Sequence, residues 1–141
     1  MLISDMTTEK WIDNKNESKL IKNPNWQQIQ TAINELDGQS KTLVTIAIDD
    51  EQYLTIGGGK LGKYVVCLTF DNMTFYHLIN TGKKTEIQKL IIGGQLGAYP
   101  DKICVDFASV ILATKTFVNT GERCGSLLWE TDILLPEMLT V

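Results

Sequence analysis

Five short apolar segments between residues 42 and 93 constrain the fold of this chain more than any other feature. They are TLVTIAI, QYLTI, KYVVCLTF, MTFYHLI and IQKLIIG, and their β-branched and aromatic residues favour extended strands. Turn residues separate them: Asp49-Asp50, Gly57 to Gly59, Asp71-Asn72 and Thr81-Gly82. Because a parallel crossover takes a dozen or more residues, connections this short predict an antiparallel meander.

Two other segments have the apolar periodicity of amphipathic helices. The first covers about residues 25–37, with Asn25 as its cap and Gly38 after its end. Its predicted buried side chains are Trp26, Ile29, Ile33 and Leu36. The second covers about residues 106–120, between Asp106 and Gly121. Its predicted apolar face consists of Phe107, Val110, Ile111, Phe117 and Val118, widened by Ala108 and Leu112.

These patterns predict an α+β fold, with both helices packed on one face of a mainly antiparallel sheet. EKWID and SKLIK, joined by NKNE, predict a hairpin within residues 1–23. LLWE predicts a late strand, and residues 131–141 form a short apolar tail. At 141 residues, without repeats or an interdomain linker, the chain fits one domain over residues 1–141.

Charge and cysteine content limit the partners and the compartment. The net charge of −4 disfavours nucleic-acid binding, which requires basic groups, and makes a basic partner more plausible than an acidic one. Three cysteines without a C-x-x-C spacing indicate reduced thiols. The sequence shows no signal peptide and no apolar run of about 20 residues, so we expect a cytoplasmic protein without a membrane partner.

The stretch GGGKLGKY, residues 57–64, matches G-x-G-x-x-G and nearly matches a P-loop, in which Tyr64 replaces the Ser or Thr. Both phosphate-binding motifs need a glycine-rich turn that leads from a strand into a helix. Here the glycines lead into YVVCLTF, which is a predicted strand. The interpretation is therefore a glycine-rich connection between strands, with positive φ angles at Gly58 and Gly59.

Candidates for catalysis are few. His77 is the single histidine, which excludes zinc sites built on several imidazoles, and we expect no metal, no cofactor and no catalytic residue. Cys67 and Cys104 lie in apolar segments, whereas Cys124 lies beside Arg123 in a glycine-flanked loop. Cys124 is therefore the candidate for an exposed and activated thiolate. A small-ligand-binding or enzymatic domain, with a pocket near Cys124 or His77, remains an alternative.

The succession LTIGGG, YVVCLTF, IIGGQLGAYP, VDFASVILATKTFVNTGER and LLWE resembles immunity protein family 1 of bacterial polymorphic toxin systems, over about residues 26–130. The positions that carry the resemblance are Gly58, Gly59, Gly94, Gln95, Tyr99, Pro100, Asp106, Gly121, Glu122, Arg123 and Trp129. The spacer Leu96-Gly97-Ala98 lacks the acidic residue that often precedes Tyr-Pro in the family. The N-terminal segment does not align.

The resemblance implies a cytoplasmic, non-enzymatic antitoxin that binds the C-terminal domain of a cognate secreted toxin in a 1:1 heterodimer. It also implies a toxin that attacks nucleic acids, such as a deaminase or nuclease, and a basic toxin surface would suit the acidic charge. The candidate interface residues are Asp49, Asp50 and Glu51 on a solvated hairpin turn, Tyr99 in the Gly-rich loop of residues 93–100, and Glu122 and Trp129 near the C-terminus. A third possibility is a scaffold protein that self-associates through ILLPEMLTV.

Overall fold

A seven-stranded antiparallel sheet forms the middle layer of the structure, a computed structural model that describes residues 2–82 and 85–131. In the described residues the strands are β1 (Asp5–Ile12), β2 (Lys15–Lys22), β3 (Lys41–Ala47), β4 (Tyr53–Gly58), β5 (Tyr64–Thr69), β6 (Phe75–Leu78), β7 (Ile87–Ile92), β8 (Gln95–Pro100) and β9 (Trp129–Thr131). The helices are α1 (Trp26–Asn34) and α2 (Phe107–Thr120), with 3-10 turns at Lys60–Gly62 and Asp101–Ile103. The main sheet has the order β2-β1-β3-β4-β5-β6-β9.

The predicted meander is confirmed from β3 to β6, since each of these strands pairs antiparallel with the next. The predicted N-terminal hairpin is also present. Its turn is the pair Asp13-Asn14, with φ angles of 49° and 67°, rather than the longer NKNE. Two left-handed residues suit a two-residue hairpin turn, and the strands are therefore longer than predicted. The strand predicted from LLWE is confirmed as β9, which pairs with β6.

The prediction that IQKLIIG continues the main sheet is wrong. This segment is β7, which pairs with β8 in a separate two-stranded sheet. The segment around Gln95 and Tyr99, interpreted as a loop, is strand β8. The turn between them consists of Gly93 and Gly94 at φ 61° and 77°, which glycine adopts without steric cost and which closes a tight hairpin.

Local capping decides where both helices begin. Asn25 Oδ1 accepts the Gln28 N–H at 2.8 Å while Gln28 Oε1 accepts the Asn25 N–H at 2.9 Å, which is a capping box. Asp106 Oδ1 accepts the Ser109 N–H at 2.8 Å, and Gly121 ends α2 at φ 74°. The predicted caps at Asn25, Asp106 and Gly121 are therefore confirmed, whereas Gly38 does not end α1, whose C-cap is Glu35. Helix α1 ends at Asn34, earlier than the predicted residue 37.

Both helices pack on one face of the main sheet, as predicted, around one apolar core. The fully buried members of this core include Ile29, Ile33, Ile46, Leu54, Ile56, Leu68 and Phe117. Helix α2 faces the core slightly differently from the prediction, because Ala113 and Thr114 are buried whereas Ala108 and Leu112 are exposed. Neither described helix has the length and apolarity to span a membrane.

The β7–β8 hairpin packs on the opposite face of the main sheet and builds a second, smaller core. Its members are Val65, Leu90, Tyr99, Ile103 and Cys104. Gly57 permits this contact, since a side chain there would overlap Ile92 of β7. The buried Asp101 carboxylate accepts a hydrogen bond from Gln88 Nε2 at 3.0 Å and lies 3.6 Å from Lys63 Nζ, which ties the hairpin to the glycine-rich loop.

Candidate functional site

The predicted acidic turn lies at the tip of the β3–β4 hairpin, where Asp49, Asp50 and Glu51 are all exposed. The Asp49 carboxylate has a local role, since Oδ1 accepts the backbone N–H groups of Glu51 at 2.9 Å and Gln52 at 2.8 Å. These hydrogen bonds favour the ionised form and lower the pKa of Asp49. Asp49 therefore holds the turn, while Asp50 and Glu51 present their charges to solvent.

The β5–β6 turn repeats this arrangement at the same edge of the sheet, because every second turn of a meander lies at one edge. Asp71 Oδ1 accepts the N–H groups of Thr74 at 2.8 Å and Met73 at 2.9 Å, and these bonds lower the pKa of Asp71. The Tyr53 hydroxyl donates to Asn72 Oδ1 at 2.6 Å and so joins the two turns.

Glu122 lies at this edge as well. A Cβ at Gly121 would lie 3.2 Å from Leu2 Cδ1 and 3.5 Å from Ile48 Cδ1, so the end of α2 contacts both the N-terminus and the start of the β3–β4 turn. Asp5 pairs with Ala47 at the end of β3 and belongs to the same edge. We call this group the acidic edge, and it consists of Asp5, Asp49, Asp50, Glu51, Asp71 and Glu122.

Among the described residues, two cations and two apolar side chains accompany the acidic edge. Lys22 lies opposite Asp5 in the strand register, and the Arg123 guanidinium lies over the Tyr76 ring at 4.2 Å. These cations only partly offset six carboxylates, so the edge remains anionic. Met73 is 83% exposed and Phe75 is 37% exposed beside the Asp71 turn. The edge therefore offers apolar contact area together with negative charge.

Tyr99 does not belong to this surface. Only 4% of the residue is exposed, and its ring packs in the small core with Leu90, Ile103 and Cys104. Burial raises the pKa of the Tyr99 hydroxyl, and the neighbouring Cys104 thiol adds to the shift. The expectation that Tyr99 lies in an exposed loop fails because residues 95–100 form a strand whose inner face covers the main sheet.

Trp129 has mainly a structural role. Its indole is half-buried against the main core, and Nε1 donates to the Cys124 carbonyl at 3.2 Å. The residue does meet Glu122 and Arg123 at the surface, where the three line a shallow depression of about 330 Å³ with Leu127 and Leu128. Glu122 and Trp129 therefore lie at one depression, with only part of the tryptophan available for contact.

The other positions that resemble the family shape the backbone. Gly58 and Gly59 have φ angles of 94° and 108°, as predicted. Gly94 lies against the Trp11 indole, where any side chain would overlap the ring, and its N–H donates to Thr42 Oγ1 at 3.0 Å. Gln95 is the exposed first residue of β8, and Pro100 ends that strand before the 3-10 turn.

The glycine-rich loop connects β4 to β5, as predicted, and it does lie beside the start of α2, because Tyr64 and Val105 exchange backbone hydrogen bonds at 3.0 and 2.8 Å. The Asp106 carboxylate already occupies that helix terminus by accepting the Ser109 N–H. An anionic cap at this place opposes phosphate binding. This geometry supports the interpretation of residues 57–64 as a glycine-rich connection between strands.

Cys124 is not the exposed thiol that the sequence suggested, since it is only 6% exposed. Burial alone would raise its pKa, but hydrogen bonds from Ser126, Thr116 and the Leu127 N–H outweigh burial and lower the pKa of the Cys124 thiol. Its Sγ lies 3.2 Å from Ser126 Oγ. Cys124 thus lies in a loop that lines the depression beside Trp129, with little of its own surface exposed.

His77 meets Cys67 rather than Cys124. Cys67 and His77 pair across β5 and β6 on the face opposite the helices, whereas Trp129, which binds the Cys124 carbonyl, packs on the helix side. Burial raises the pKa of Cys67 to about 11 and lowers the pKa of His77. Both groups are therefore neutral at pH 7, which is unlike the charged pair of a cysteine nucleophile and its base.

Sequence reasoning missed Asp5, Asp71, Met73 and Phe75 as members of this surface. The available signal was the alternation of turns in the predicted meander, which places the Asp49 and Asp71 turns at one edge. In the described residues no three His, Cys, Asp or Glu side chains are grouped as metal ligands would be. The predicted C-terminal tail beyond residue 131 lies outside the described residues.

Residues 20–131 match the family model described as Immunity protein Imm1. The matched range includes every strand of the meander, both helices and most of the acidic edge. No curated protein and no solved structure matches the chain significantly.

Proposed function

The chain belongs to the Imm1 family of immunity proteins, and we propose that it neutralises one cognate toxin domain by binding it through the acidic edge. Immunity proteins of toxin systems bind their cognate toxins, and this family typically consists of non-catalytic inhibitors. The proposed partner is the C-terminal domain of a secreted toxin. Inhibition takes place in the cytoplasm of the producing cell, in a 1:1 complex.

The clustering of six carboxylates at one edge is the observation that supports this choice of surface. A toxin that attacks nucleic acid, such as a deaminase or nuclease, needs a basic surface to hold phosphates. An acidic partner is attracted to that surface and associates faster at low salt. The acidic edge is thus suited to capture a nucleic-acid-directed toxin before the toxin reaches its substrate.

Different residues of the edge have different proposed roles. Asp50, Glu51 and Glu122 are exposed and supply the steering charge. Met73 and Phe75 supply apolar contact area, which commonly carries most of the binding energy in the middle of an interface. Asp49 contributes through the shape of the turn.

Survival of a sensitive host tests the proposal. The C-terminal domain encoded by the neighbouring toxin gene is expressed with and without this protein, and the surviving cells are counted. We expect rescue, together with a 1:1 complex that elutes as one species in size-exclusion chromatography. Toxicity that this protein does not relieve would contradict the proposed function.

The lowered pKa of Cys124 is the one observation that favours a ligand-binding or enzymatic role. The variants Cys124→Ser and His77→Gln separate the two functions, because each removes the reactive atom with little change in volume. An immunity protein keeps full protection with either variant. Loss of protection by a variant that remains folded would favour the enzymatic alternative.

A further inference from the structure

The helix-covered sheet has a second face that is only partly covered by the described residues. At one end of this face, the β7–β8 hairpin packs over Leu43, Gly57 and Val65, which are neighbours across β3, β4 and β5. Towards the other end, the same face continues for two further rows of cross-strand neighbours. The close contacts of the hairpin with β3 and β4 involve Leu43 and Gly57, whereas the side chains of the two further rows between β1 and β4 are only half-buried.

The register identifies the residues of these rows. Thr7 pairs with Thr45, which pairs with Thr55, and one row further Ala47 pairs with Tyr53. Phe75 belongs to the second row through Thr69, whose own side chain is buried and holds the β5–β6 turn. We call these residues the open face: Thr7, Thr45, Ala47, Tyr53, Thr55 and Phe75. All of them are half-buried except Phe75, which is 37% exposed.

The open face is flat and uncharged. Threonine and alanine side chains are short, so another protein can approach this part of the sheet closely, and two aromatic rings add contact area. The second row ends directly at the acidic edge, because Asp5 pairs with Ala47 and the Tyr53 hydroxyl binds Asn72 of the Asp71 turn. An uncharged centre with two aromatic rings, bordered by carboxylates, is the arrangement of an interface core with a charged rim.

We propose that the open face and the acidic edge form one continuous docking surface for the cognate toxin domain. The matching toxin surface has a flat apolar centre and a border of Lys and Arg side chains. This inference rests on the proposed function and adds the part of the surface that the toxin covers. The charge complementarity argued above selects the toxin domain, rather than a second acidic copy of this chain, as the occupant.

An interface large enough to be stable requires the open face and the acidic edge together. Strands spaced about 4.8 Å apart and side chains about 7 Å apart along a strand give the open face roughly 200 Å², counted over two rows of the three strands β1, β3 and β4. A standard protein interface covers about 800 Å² on each partner. The open face alone is too small, and the adjoining acidic edge supplies the remaining area.

A matched pair of threonine variants tests the proposal. Thr45→Arg places a long cation in the middle of the open face, and Thr31→Arg places the same side chain on the exposed surface of α1, on the other side of the molecule. Binding to a catalytically inactivated toxin domain is measured by calorimetry. We expect at least about a tenfold loss of affinity for Thr45→Arg and less than about a twofold change for Thr31→Arg.

The wild-type complex supplies a second test that does not depend on the folding of a variant. Hydroxyl-radical footprinting compares the oxidation of Tyr53 and Phe75 on the open face with that of Trp26, which lies on the helix layer. Toxin binding should protect Tyr53 and Phe75 and leave Trp26 unchanged. Protection of Trp26 alone would overturn the proposed surface.

The outcomes separate this inference from the proposed function. If wild-type protein neither binds nor neutralises the toxin domain, the proposed function fails. If wild-type protein binds, and Thr45→Arg binds as well as Thr31→Arg, the function stands and the open face is not the docking surface. Self-association of wild-type protein that Thr45→Arg abolishes would instead assign the face to a second copy of this chain.

Discussion

Individual acidic residues at one edge of the sheet have different roles, and the difference can be measured. Asp49 accepts two backbone N–H groups within its turn, whereas Asp50 is exposed at the tip of the same turn. Asp49→Ala should therefore lower the Tm, while Asp50→Ala should leave it unchanged and slow toxin association. Thermal unfolding by circular dichroism checks the first effect. Equal Tm values for the two variants would show that the Asp49 hydrogen bonds do not hold the turn.

The lowered pKa of His77 predicts that the folded protein loses stability in mild acid. Burial lowers its pKa in the folded state below the unfolded value of about 6.5, so protons bind the unfolded state more readily. The contribution of His77 to the free energy of unfolding is complete above the pKa of the unfolded state. It declines as the pH falls from about 6.5 through the pKa of the folded state. The facing groups are the neutral Cys67 thiol and Glu130, whose carboxylate is paired with Lys102 at 3.1 Å.

Replacement of His77 by Gln removes this titration. Urea unfolding at pH 7.5 and pH 5.5 should show a smaller pH effect in His77→Gln than in wild-type protein. An unchanged pH effect would mean that other groups cause it.

At the scale of elements, the β7–β8 hairpin depends on a glycine of another strand. A methyl group at Gly57 would overlap the Ile92 side chain, so Gly57→Ala forces Ile92 to shift and loosens the packing of the hairpin on the main sheet. Overpacking of this kind costs about 1–3 kcal/mol of unfolding free energy. Gly125→Ala is the matched control, since nothing lies within 4 Å of the added methyl group. Chemical denaturation measures both variants, and equal stabilities would contradict the close packing.

Elements whose ends depend on neighbouring residues could be predicted from the sequence. Asn25, Asp106 and Gly121 act within one helical turn of their own positions, and all three have the predicted roles. The β7–β8 pairing could not be predicted in the same way, because an apolar strand can pair with either of its neighbours. Its placement depends on the contact of Ile92 with Gly57, about 35 residues apart in sequence.

In the candidate site as well, features set by neighbouring residues could be predicted, and features set by contacts distant in sequence could not. The exposure of Asp49, Asp50 and Glu51 follows from their position in a polar turn and was predicted correctly. The burial of Tyr99 and Cys124 depends on elements distant in sequence, and both were expected to be exposed. The convergence of Glu122 with the acidic turn depends on the packing of α2 across the sheet, which periodicity alone does not reveal.

At the scale of the whole molecule, negative charge is concentrated at one edge of the sheet. The net charge of −4 is too small to identify a partner, but six carboxylates around two turns, the N-terminal strand and the end of α2 create a local anionic field. Such a field acts on the rate of association more than on the lifetime of the complex.

The dependence of the toxin association rate on salt shows whether the acidic edge captures the toxin. Association rates with the inactivated toxin domain are measured by stopped flow at about 20 and 300 mM salt, where electrostatic screening differs strongly. The compared proteins are wild type and the triple variant Asp49→Asn, Asp50→Asn, Glu51→Gln, in which the amide oxygen introduced at position 49 can still accept the turn hydrogen bonds. We predict an association rate about tenfold lower for the variant at low salt, and a flatter salt dependence. Identical rates for both proteins at low salt would contradict the claim that the acidic edge captures the toxin.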